Sequence, residues 1–153
     1  MLHNAGIYVI GRITVFQDPV LAKVRPDLAI HSKKKLVAAA TSTLSLETLW
    51  KDNRGLSWLD PEAEEVWDYH VLLAKDVLSH GFDEINFDYI RFPTDGNLGD
   101  MQFPYWDGVM PRRDVLRDFF AHLREKLPYM KLSADLFGLT TINYDDFGIG
   151  QII

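Results

Sequence analysis

The sequence predicts an α/β fold built on a parallel sheet, and two helix–strand units carry this prediction. In the first, an amphipathic helical pattern over residues 63–78 stops at Gly81 and leads into a strand that ends near Asp88. In the second, a helical pattern that begins at Pro111 leads into a strand over residues 131–135. Short strands that alternate with helices are typical of parallel sheets covered by helices.

The N-terminal part of the chain reads as the last turn of a helix, closed by Gly6, and then as a strand over residues 7–16. Arg12 lies inside this β-branched strand, where a charge is costly unless a carboxylate meets it. Asp18 is the predicted N-cap of the next helix, with Pro19 at its first position. The pattern over residues 33–50 fits either a strand followed by a helix or an irregular insertion.

The segment over residues 55–61 predicts a very short strand, 56–59, followed by a helix. Asp60 is the predicted N-cap of that helix, and Pro61 its first residue. His70 lies on the apolar stripe of the helix, so we interpret it as a packed core histidine rather than a ligand.

The stretch over residues 81–93 contains a strand in which polar and apolar side chains alternate. The polar residues of this strand share one face: Glu84, Asn86 and Asp88. In a sheet covered on both faces they must line a barrel interior or a cleft, because buried polar groups need partners. Asp88, Tyr89 and Arg91 then lie at the carboxyl end of the strand, where α/β barrels carry their active sites. A half-exposed antiparallel strand is one alternative, and an Asp88–Arg91 pair that only shapes a loop is another.

A long loop over residues 94–110 follows this strand and contains three aspartates and three aromatic residues. Loops of this length are often functional. We interpret the aromatic residues either as walls of a ligand subsite or as packing at the mouth of the sheet. The aspartates lack the spacing of an EF-hand, so no calcium site is predicted. The next strand places Asp135 at its carboxyl end, and Asp145 and Asp146 begin a further helical pattern.

The composition of the chain argues against several classes of protein and of functional site. A chain of 153 residues is the length of one domain and can bury a real core. Its net charge of -6 argues against a nucleic-acid partner. The absence of cysteine excludes disulfides, zinc–thiolate sites and cysteine nucleophiles. No apolar run approaches the roughly 18 residues of a membrane span, and the N-terminus shows no signal peptide.

The residues at positions 81–93, Gly-Phe-Asp-Glu-Ile-Asn-Phe-Asp-Tyr-Ile-Arg-Phe-Pro, resemble the bacterial DUF4015 family of glycoside-hydrolase-like domains. Further segments resemble the family in the same order, at residues 6–19, 55–61, 66–69, 133–138 and 145–151. The resemblance covers nearly the whole chain except residues 33–50, where the family usually has a shorter connection.

This resemblance implies a TIM (β/α)8 barrel related to α-galactosidase- and amylase-type enzymes. On that template the chain is a single partial barrel domain over residues 1–153, with about strands two to five and their helices. We therefore expect a fragment whose open sheet edges are covered by the missing barrel half or by self-association. A secreted or cell-surface location follows if the preceding part carries a signal peptide.

The function implied by the resemblance is hydrolysis of a poly- or oligosaccharide by two paired carboxylates, Asp88 and Asp135. Neighbouring parallel strands lie about 4.8 Å apart, so these carboxylates can approach the roughly 5–5.5 Å separation of retaining glycosidases. In the related enzymes the aspartate of the fourth strand is the nucleophile, which assigns this role to Asp88 and that of the acid to Asp135. A nearby Arg91 or Arg12 would keep Asp88 ionised. The residues expected to bind sugar surround the same mouth: Arg12, Trp58, Asp60, Tyr89 and Arg91.

The alternative function is a carbohydrate-binding or scaffold domain without turnover, because a fold does not establish an activity. A metal-dependent hydrolase is disfavoured, since the sequence lacks the pairs of histidines that such sites usually carry. Neither a metal nor another cofactor is therefore predicted. Within the hydrolase interpretation, a general acid on a strand outside this chain is an alternative to Asp135.

Overall fold

The computed structural model describes residues 2–40, 42–143 and 148–151. Their strands are β1 (Ile10–Thr14), β2 (His31–Ser32), β3 (Glu84–Asp88), β4 (Met101–Gln102) and β5 (Leu132–Ala134). Their α-helices are α1 (Pro19–Val24), α2 (Lys33–Ala38), α3 (Glu64–Ser79), α4 (Arg112–Lys126) and α5 (Thr140–Asn143). The helix expected from Asp145 and Asp146 lies outside the described residues. In the described ranges, no helix has both the length and the apolar character that crossing a membrane requires.

The central sheet is parallel and has the strand order β1–β3–β5. In its register, Ile13 lies beside Phe87, and Phe87 lies beside Ala134. Helix α3 precedes β3 along the chain and α4 precedes β5, as the two helix–strand units predicted. The predicted α/β fold with a parallel sheet and covering helices is therefore confirmed.

The short strand expected over residues 56–59 is not part of this sheet. β1 pairs directly with β3, and Leu59 forms only an isolated antiparallel bridge with Ala29. The backbone N–H of Leu59 also donates to the carbonyl of Phe16, just beyond the end of β1. The segment therefore bonds to the chain just beyond the end of β1 and does not form a strand of the parallel sheet. The parallel sheet of the described residues has three strands, whereas the template of strands two to five predicts four.

Helices α3 and α4 bury the core against one face of the sheet. Alternation along β3 and along β1, continued one residue beyond its end, directs apolar side chains into this core: Ile13, Val15, Ile85 and Phe87. Phe119 of α4 is fully buried, and its ring centroid lies 5.3 Å from that of Phe16 and 6.0 Å from that of Trp67. These aromatic contacts fix α4 over the middle of the sheet.

Helix α3 approaches β1 closely because residue 11 has no side chain. A Cβ on Gly11 would lie 2.7 Å from Cγ1 of Val77, which is closer than packed carbon atoms allow. On the same helix His70 is fully buried, and its Nδ1 lies 2.7 Å from the carbonyl oxygen of Val66. Its Nε2 lies 3.3 Å from the carbonyl oxygen of Thr14. The interpretation of His70 as a core residue is confirmed.

The opposite face of the sheet is polar and partly open to solvent. Arg12 and Thr14 of β1 are exposed, and the polar residues of β3 are half-buried. Ile10, on the same face, is 50% exposed. The expectation that both faces are covered is therefore not met within the described residues. These side chains instead bond to one another across the strands.

One of the two predicted helix caps is confirmed and the other is wrong. The side chain of Asp18 accepts the backbone N–H groups of Val20 and Leu21 at the start of α1. Helix α3, in contrast, begins only at Glu64 with Ala63 as its N-cap. The carboxylate of Asp60 accepts the N–H of Glu62, before the helix, and that of Tyr105 in the long loop. In the described part of residues 33–50, α2 directly follows β2, and a 3-10 turn over Leu46–Thr48 comes after it.

Candidate active site

The ends of β3 and β5 bring Asp88 and Asp135 side by side. Asp88 is the last residue of β3, and Asp135 directly follows β5. The backbone N–H of Asp135 donates to the carbonyl of Phe87 at 2.9 Å, which continues the parallel pairing by one residue. The two aspartates therefore occupy matching positions on strands that lie about 4.8 Å apart. The structure places them as the spacing of the sequence predicts.

Arg12 lies between the two carboxylates and contacts both. Its Nη2 forms an ion pair with Oδ2 of Asp88, and its Nε lies 3.7 Å from Oδ2 of Asp135. The side chain of Asp88 is 15% exposed, whereas that of Asp135 is 54% exposed. Arg12 thus has the acidic partner that its place in a strand requires. The cation also offsets the repulsion between two adjacent carboxylates.

A hydrogen-bond network continues along the polar face of the sheet below the aspartates. Nδ2 of Asn86 lies 3.3 Å from Oδ1 of Asp135 and 3.2 Å from Oγ of Ser133. Ser133 donates to Oε1 of Glu84 at 2.5 Å, and the hydroxyl of Tyr8 donates to Oε2 of Glu84 at 2.9 Å. These bonds from Ser133 and Tyr8 hold the pKa of Glu84 below its ordinary value. The network gives Asp135 a second partner, because Asn86 contacts its Oδ1 and Arg12 faces its Oδ2.

The backbone at Tyr89 orients the carboxylate of Asp88. Tyr89 has a φ of 54°, a left-handed conformation that is uncommon for a tyrosine. In this conformation its N–H donates to Oδ1 of Asp88 at 2.7 Å. Both oxygens of Asp88 are therefore held, one by Tyr89 and the other by Arg12. Such local strain at the end of a strand is frequent at functional sites.

Arg91 does not form the ion pair with Asp88 that the sequence suggests, as far as the described residues show. Its Nη1 instead donates to Oγ1 of Thr94 at 3.0 Å and to the carbonyl of Phe92 at 3.3 Å. Its guanidinium carbon lies 4.9 Å from the ring centroid of Trp58 and 5.0 Å from that of Phe137. Burial lowers the pKa of Arg91, but a guanidinium remains charged at any physiological pH. Arg91 is thus a cation held between aromatic rings, and Arg12 takes the place beside Asp88.

Two residues expected to bind sugar lie beneath the surface. Trp58 is 1% exposed, its Nε1 donates to Asp52 at 3.0 Å, and its ring supports Arg91. Asp60 is fully buried, and its carboxylate accepts the backbone N–H groups of Tyr105 and Trp106 at 2.8 and 3.1 Å. Burial raises the pKa of Asp60, although these hydrogen bonds oppose the shift. Trp58 thus lies under Arg91 of the site, whereas Asp60 lies under the loop that carries Tyr105 and Trp106.

A cavity of about 320 Å³ lies over the two aspartates. The residues that line it come from the strand ends and the loops after them: Asp88, Tyr89, Arg91, Asp135, Leu136, Phe137, Gly138 and Gln151. Gln151 joins two of these loops, because it donates to the carbonyl of Ile90 and accepts the N–H of Phe137. A larger cavity, of about 560 Å³, lies in the long loop after β3 and contains neither aspartate. Because both aspartates line the smaller cavity, we take it as the candidate active site.

Comparison with protein families identifies the chain. The family model described as "Putative glycosyl hydrolase domain", DUF4015, matches residues 1–153. The chain belongs to the DUF4015 family. The resemblance that begins at residues 81–93 is therefore confirmed over the full length of the sequence.

Solved structures similar to this DUF4015 chain share its fold. A hypothetical protein from Ruminiclostridium thermocellum is 40% identical, with a TM-score of 0.71 over 89% of this chain and 62% of that protein. The α-galactosidase TtGalA from Thermus thermophilus, solved with p-nitrophenyl α-D-galactopyranoside, is 19% identical. Its TM-score is 0.53, over 86% of this chain and 24% of the enzyme. No curated protein matches the chain by sequence.

Family and fold together make this DUF4015 chain glycoside-hydrolase-like, with a fold similar to that of a glycosidase TIM barrel. The chain spans less than two thirds of the length of either solved protein. Among the residues that the structure describes, no cluster of three or more histidine and acidic side chains is placed to hold a metal ion.

Sequence reasoning did not nominate two residues that touch the aspartates or their network. Asn86 contacts Asp135 directly, and Ser133 connects Asn86 to Glu84. The sequence pattern does indicate them, because both residues lie on the polar face of strands that are predicted to be buried. The side-chain amide of Asn86 also leaves its oxygen buried without a hydrogen-bond partner within the described residues.

Proposed function

We propose that this DUF4015 chain carries the catalytic carboxylates of a glycoside hydrolase that acts on an oligo- or polysaccharide. The observation that supports this most strongly is the pairing of Asp88 and Asp135 at adjacent strand ends. Both aspartates contact one guanidinium and line one cavity. The carboxyl end of a parallel sheet is where barrel enzymes place their catalytic residues.

Asp88 is the nucleophile in this proposal. It is the less exposed of the two carboxylates, and its contacts with Arg12 and with the N–H of Tyr89 hold it in a fixed orientation. One oxygen of Asp88 attacks the anomeric carbon as the bond to the leaving-group oxygen breaks. A covalent glycosyl ester forms, and the leaving group departs with a proton.

Asp135 supplies that proton and then acts as the base. Its side chain is more exposed, so it can reach both the leaving group and solvent water. In the second step it takes a proton from water, which attacks the anomeric carbon and releases Asp88. Adjacent strand ends suit the roughly 5–5.5 Å carboxylate separation of retaining enzymes, so we assign retention of configuration.

Tyr89 and Arg91 are the proposed sugar-binding residues, because both line the cavity beside Asp88. The cation of Arg91 is fixed by the rings of Trp58 and Phe137, so it can donate to sugar hydroxyls without first becoming ordered. Arg12 acts mainly on the carboxylates and only secondarily on the sugar.

We also infer that the sheet is an arc of a (β/α)8 barrel. Its three parallel strands carry helices on one face and polar residues on the other, which is the arrangement of a barrel wall and its interior. The similarity in fold to TtGalA supports this inference. In a closed barrel, further strands would pair with the outer edges of β1 and β5 and cover the polar face.

A carbohydrate-binding domain without turnover is the second candidate. The observation in its favour is that both oxygens of Asp88 already have partners, Arg12 and the N–H of Tyr89. A carboxylate held in this way can also orient a sugar hydroxyl without attacking it.

Hydrolysis of a panel of aryl α- and β-glycosides by the longest gene product that contains this chain decides between the two. Asp88→Asn should abolish turnover and leave the fold intact. Asp135→Asn should lose the acid's roughly 10²–10⁴-fold contribution on poor leaving groups but be largely spared on good ones. Asp76→Asn, at an exposed position on α3, is the matched control. Wild-type protein that binds oligosaccharide and hydrolyses nothing would establish the binding domain instead.

A further inference from the structure

The polar face of the sheet is built in rows, in which residues from neighbouring strands lie side by side. Asn86 of β3 lies beside Ser133 of β5, one row below the end of the strands. The row above holds Asp88 and Asp135, whose backbone continues the same register. Glu84 lies in the row below, because residues two apart along a strand share a face. Asn86 therefore lies between Glu84 and the two aspartates of the candidate active site.

Glu84 fixes the direction of the hydrogen bonds in this part of the sheet. Ser133 donates its hydroxyl proton to Oε1 of Glu84 at 2.5 Å, and Tyr8 donates to Oε2 at 2.9 Å. These two bonds, together with the charge of Lys131, hold the pKa of Glu84 below its ordinary value, so it is ionised at neutral pH. An ionised carboxylate can only accept hydrogen bonds. The hydroxyl proton of Ser133 is therefore committed to Glu84.

The side-chain amide of Asn86 has one orientation that suits both of its neighbours. Because the proton of Ser133 points to Glu84, the oxygen of Ser133 accepts, and Nδ2 of Asn86 lies 3.2 Å from it. The same Nδ2 lies 3.3 Å from Oδ1 of Asp135. A flipped amide would turn its oxygen toward two other oxygens. The orientation present keeps both donated bonds, although it leaves Oδ1 of Asn86 buried without a partner within the described residues.

We propose that Asn86 is a positioning residue for Asp135, and that Glu84 acts through Ser133 to keep the NH₂ group of Asn86 turned toward that carboxylate. The side chain of Asp135 is 54% exposed, so packing alone does not fix its rotamer. Asn86 holds its Oδ1, which keeps the carboxyl group at the cavity. The inference rests on the proposed function, in which Asp135 gives a proton to the leaving group and later takes one from water.

The test compares two leaving groups on the same sugar, in the longest gene product that contains this chain. The probes are phenyl and 2,4-dinitrophenyl α- and β-glycosides of glucose, galactose, mannose and xylose. Phenolate leaves poorly without a proton, whereas 2,4-dinitrophenolate needs little protonation. We expect Asn86→Ala to lower kcat/KM about tenfold on the phenyl glycoside and less than about twofold on the dinitrophenyl glycoside. The ratio of the two kcat/KM values is independent of the fraction of folded protein.

Two conservative variants and a double-mutant cycle separate positioning from a structural role. Asn86→Asp keeps the shape of the side chain without the NH₂ group and should lose at least as much on phenyl glycosides, whereas Asn86→Gln keeps the group and should recover part of the loss. In the Asp135→Asn background, Asn86→Ala should cost less than about twofold on phenyl glycosides, because the residue through which it acts has lost its role.

Glu84→Gln tests the start of the relay, because a glutamine can donate to Ser133 as well as accept from it. It should lower kcat/KM about threefold on phenyl glycosides and leave dinitrophenyl glycosides nearly unchanged. Asn53→Ala, at an exposed position, is the matched control and should change neither value.

The outcomes distinguish this inference from the proposed function. Full activity of Asn86→Ala on phenyl glycosides, equal losses on the two leaving groups, or the same tenfold loss in the Asp135→Asn background would overturn the role of Asn86 and leave the hydrolase standing. A wild type that hydrolyses none of the glycosides would overturn both.

Discussion

Asp60→Asn removes the carboxylate that fastens the long loop to the core and keeps the size of the side chain. In the wild type, Oδ1 accepts the N–H of Glu62, and Oδ2 accepts those of Tyr105 and Trp106. An asparagine has one oxygen and one NH₂ group, so it can accept N–H groups at only one of the two oxygen positions. At the other position its NH₂ group faces a backbone N–H, and two donors cannot form a hydrogen bond.

The expected cost follows from these contacts. A hydrogen bond to a charged group contributes about 1.5–3 kcal/mol, and a buried donor left without a partner costs a comparable amount. Removal of a buried negative charge offsets part of this loss, since burial already raises the pKa of Asp60. We therefore expect the loop to lose about 2 kcal/mol of local stability.

Hydrogen exchange with peptide-level mass spectrometry measures this loss and tolerates self-association of the protein. A loss of about 2 kcal/mol corresponds to roughly 30-fold faster exchange of the amides over residues 103–107. Asp95→Asn is the matched control, because Asp95 is exposed and accepts, among the described residues, one backbone N–H, that of Asn53. Exchange in Asp60→Asn that is no faster than in Asp95→Asn would refute the role of Asp60 as the anchor of the loop.

Three further perturbations test other parts of the structure. Arg12→Ala removes a cation 3.7 Å from one carboxylate, an interaction of about 1 kcal/mol in a water-like medium. It should lower kcat/KM about fivefold, and Arg12→Lys should restore part of the loss. Burial lowers the pKa of His70, so its contribution to stability is present above about pH 6.5 and is lost as pH falls through the folded-state value. Denaturation between pH 7 and 5 should show a slope, at most about 1.4 kcal/mol per pH unit, that His70→Gln reduces and exposed His80→Gln does not. Gly11→Ala should cost about 1–3 kcal/mol in the same denaturation series, because its Cβ would collide with α3.

The sequence alone predicted the elements whose structure depends mainly on their own local pattern of residues. Alternation along β3 and β5, with helical stripes before them, predicted a parallel sheet with Asp88 and Asp135 at its end. Arg12 required an acidic partner because it lies within a β-branched strand, and the structure supplies two. These predictions depend on local periodicity and on the cost of isolated charge, which can both be estimated without coordinates.

The errors arose where distant contacts decide the outcome. Asp60 and Pro61 match the pattern of a helix start, yet Asp60 bonds to a loop about 45 residues further along the chain, and α3 begins later. Arg91 follows Asp88 by three residues, yet three aromatic rings hold it away from that carboxylate. The segment over residues 56–59 has the composition of a strand, but it closes over the end of β1. No local pattern reports such tertiary partners.

The identity of the nucleophile is tested most directly by trapping the covalent intermediate. The longest gene product containing this chain is incubated with an activated fluorinated glycoside of the sugar that the wild type releases, which slows hydrolysis of the glycosyl ester. Proteolysis and mass spectrometry then locate the added mass. We expect a single label on Asp88, absent in Asp88→Asn and present in Asp76→Asn. A label on any other residue, or hydrolysis with inversion and no label at all, would contradict the assignment of Asp88 as the nucleophile.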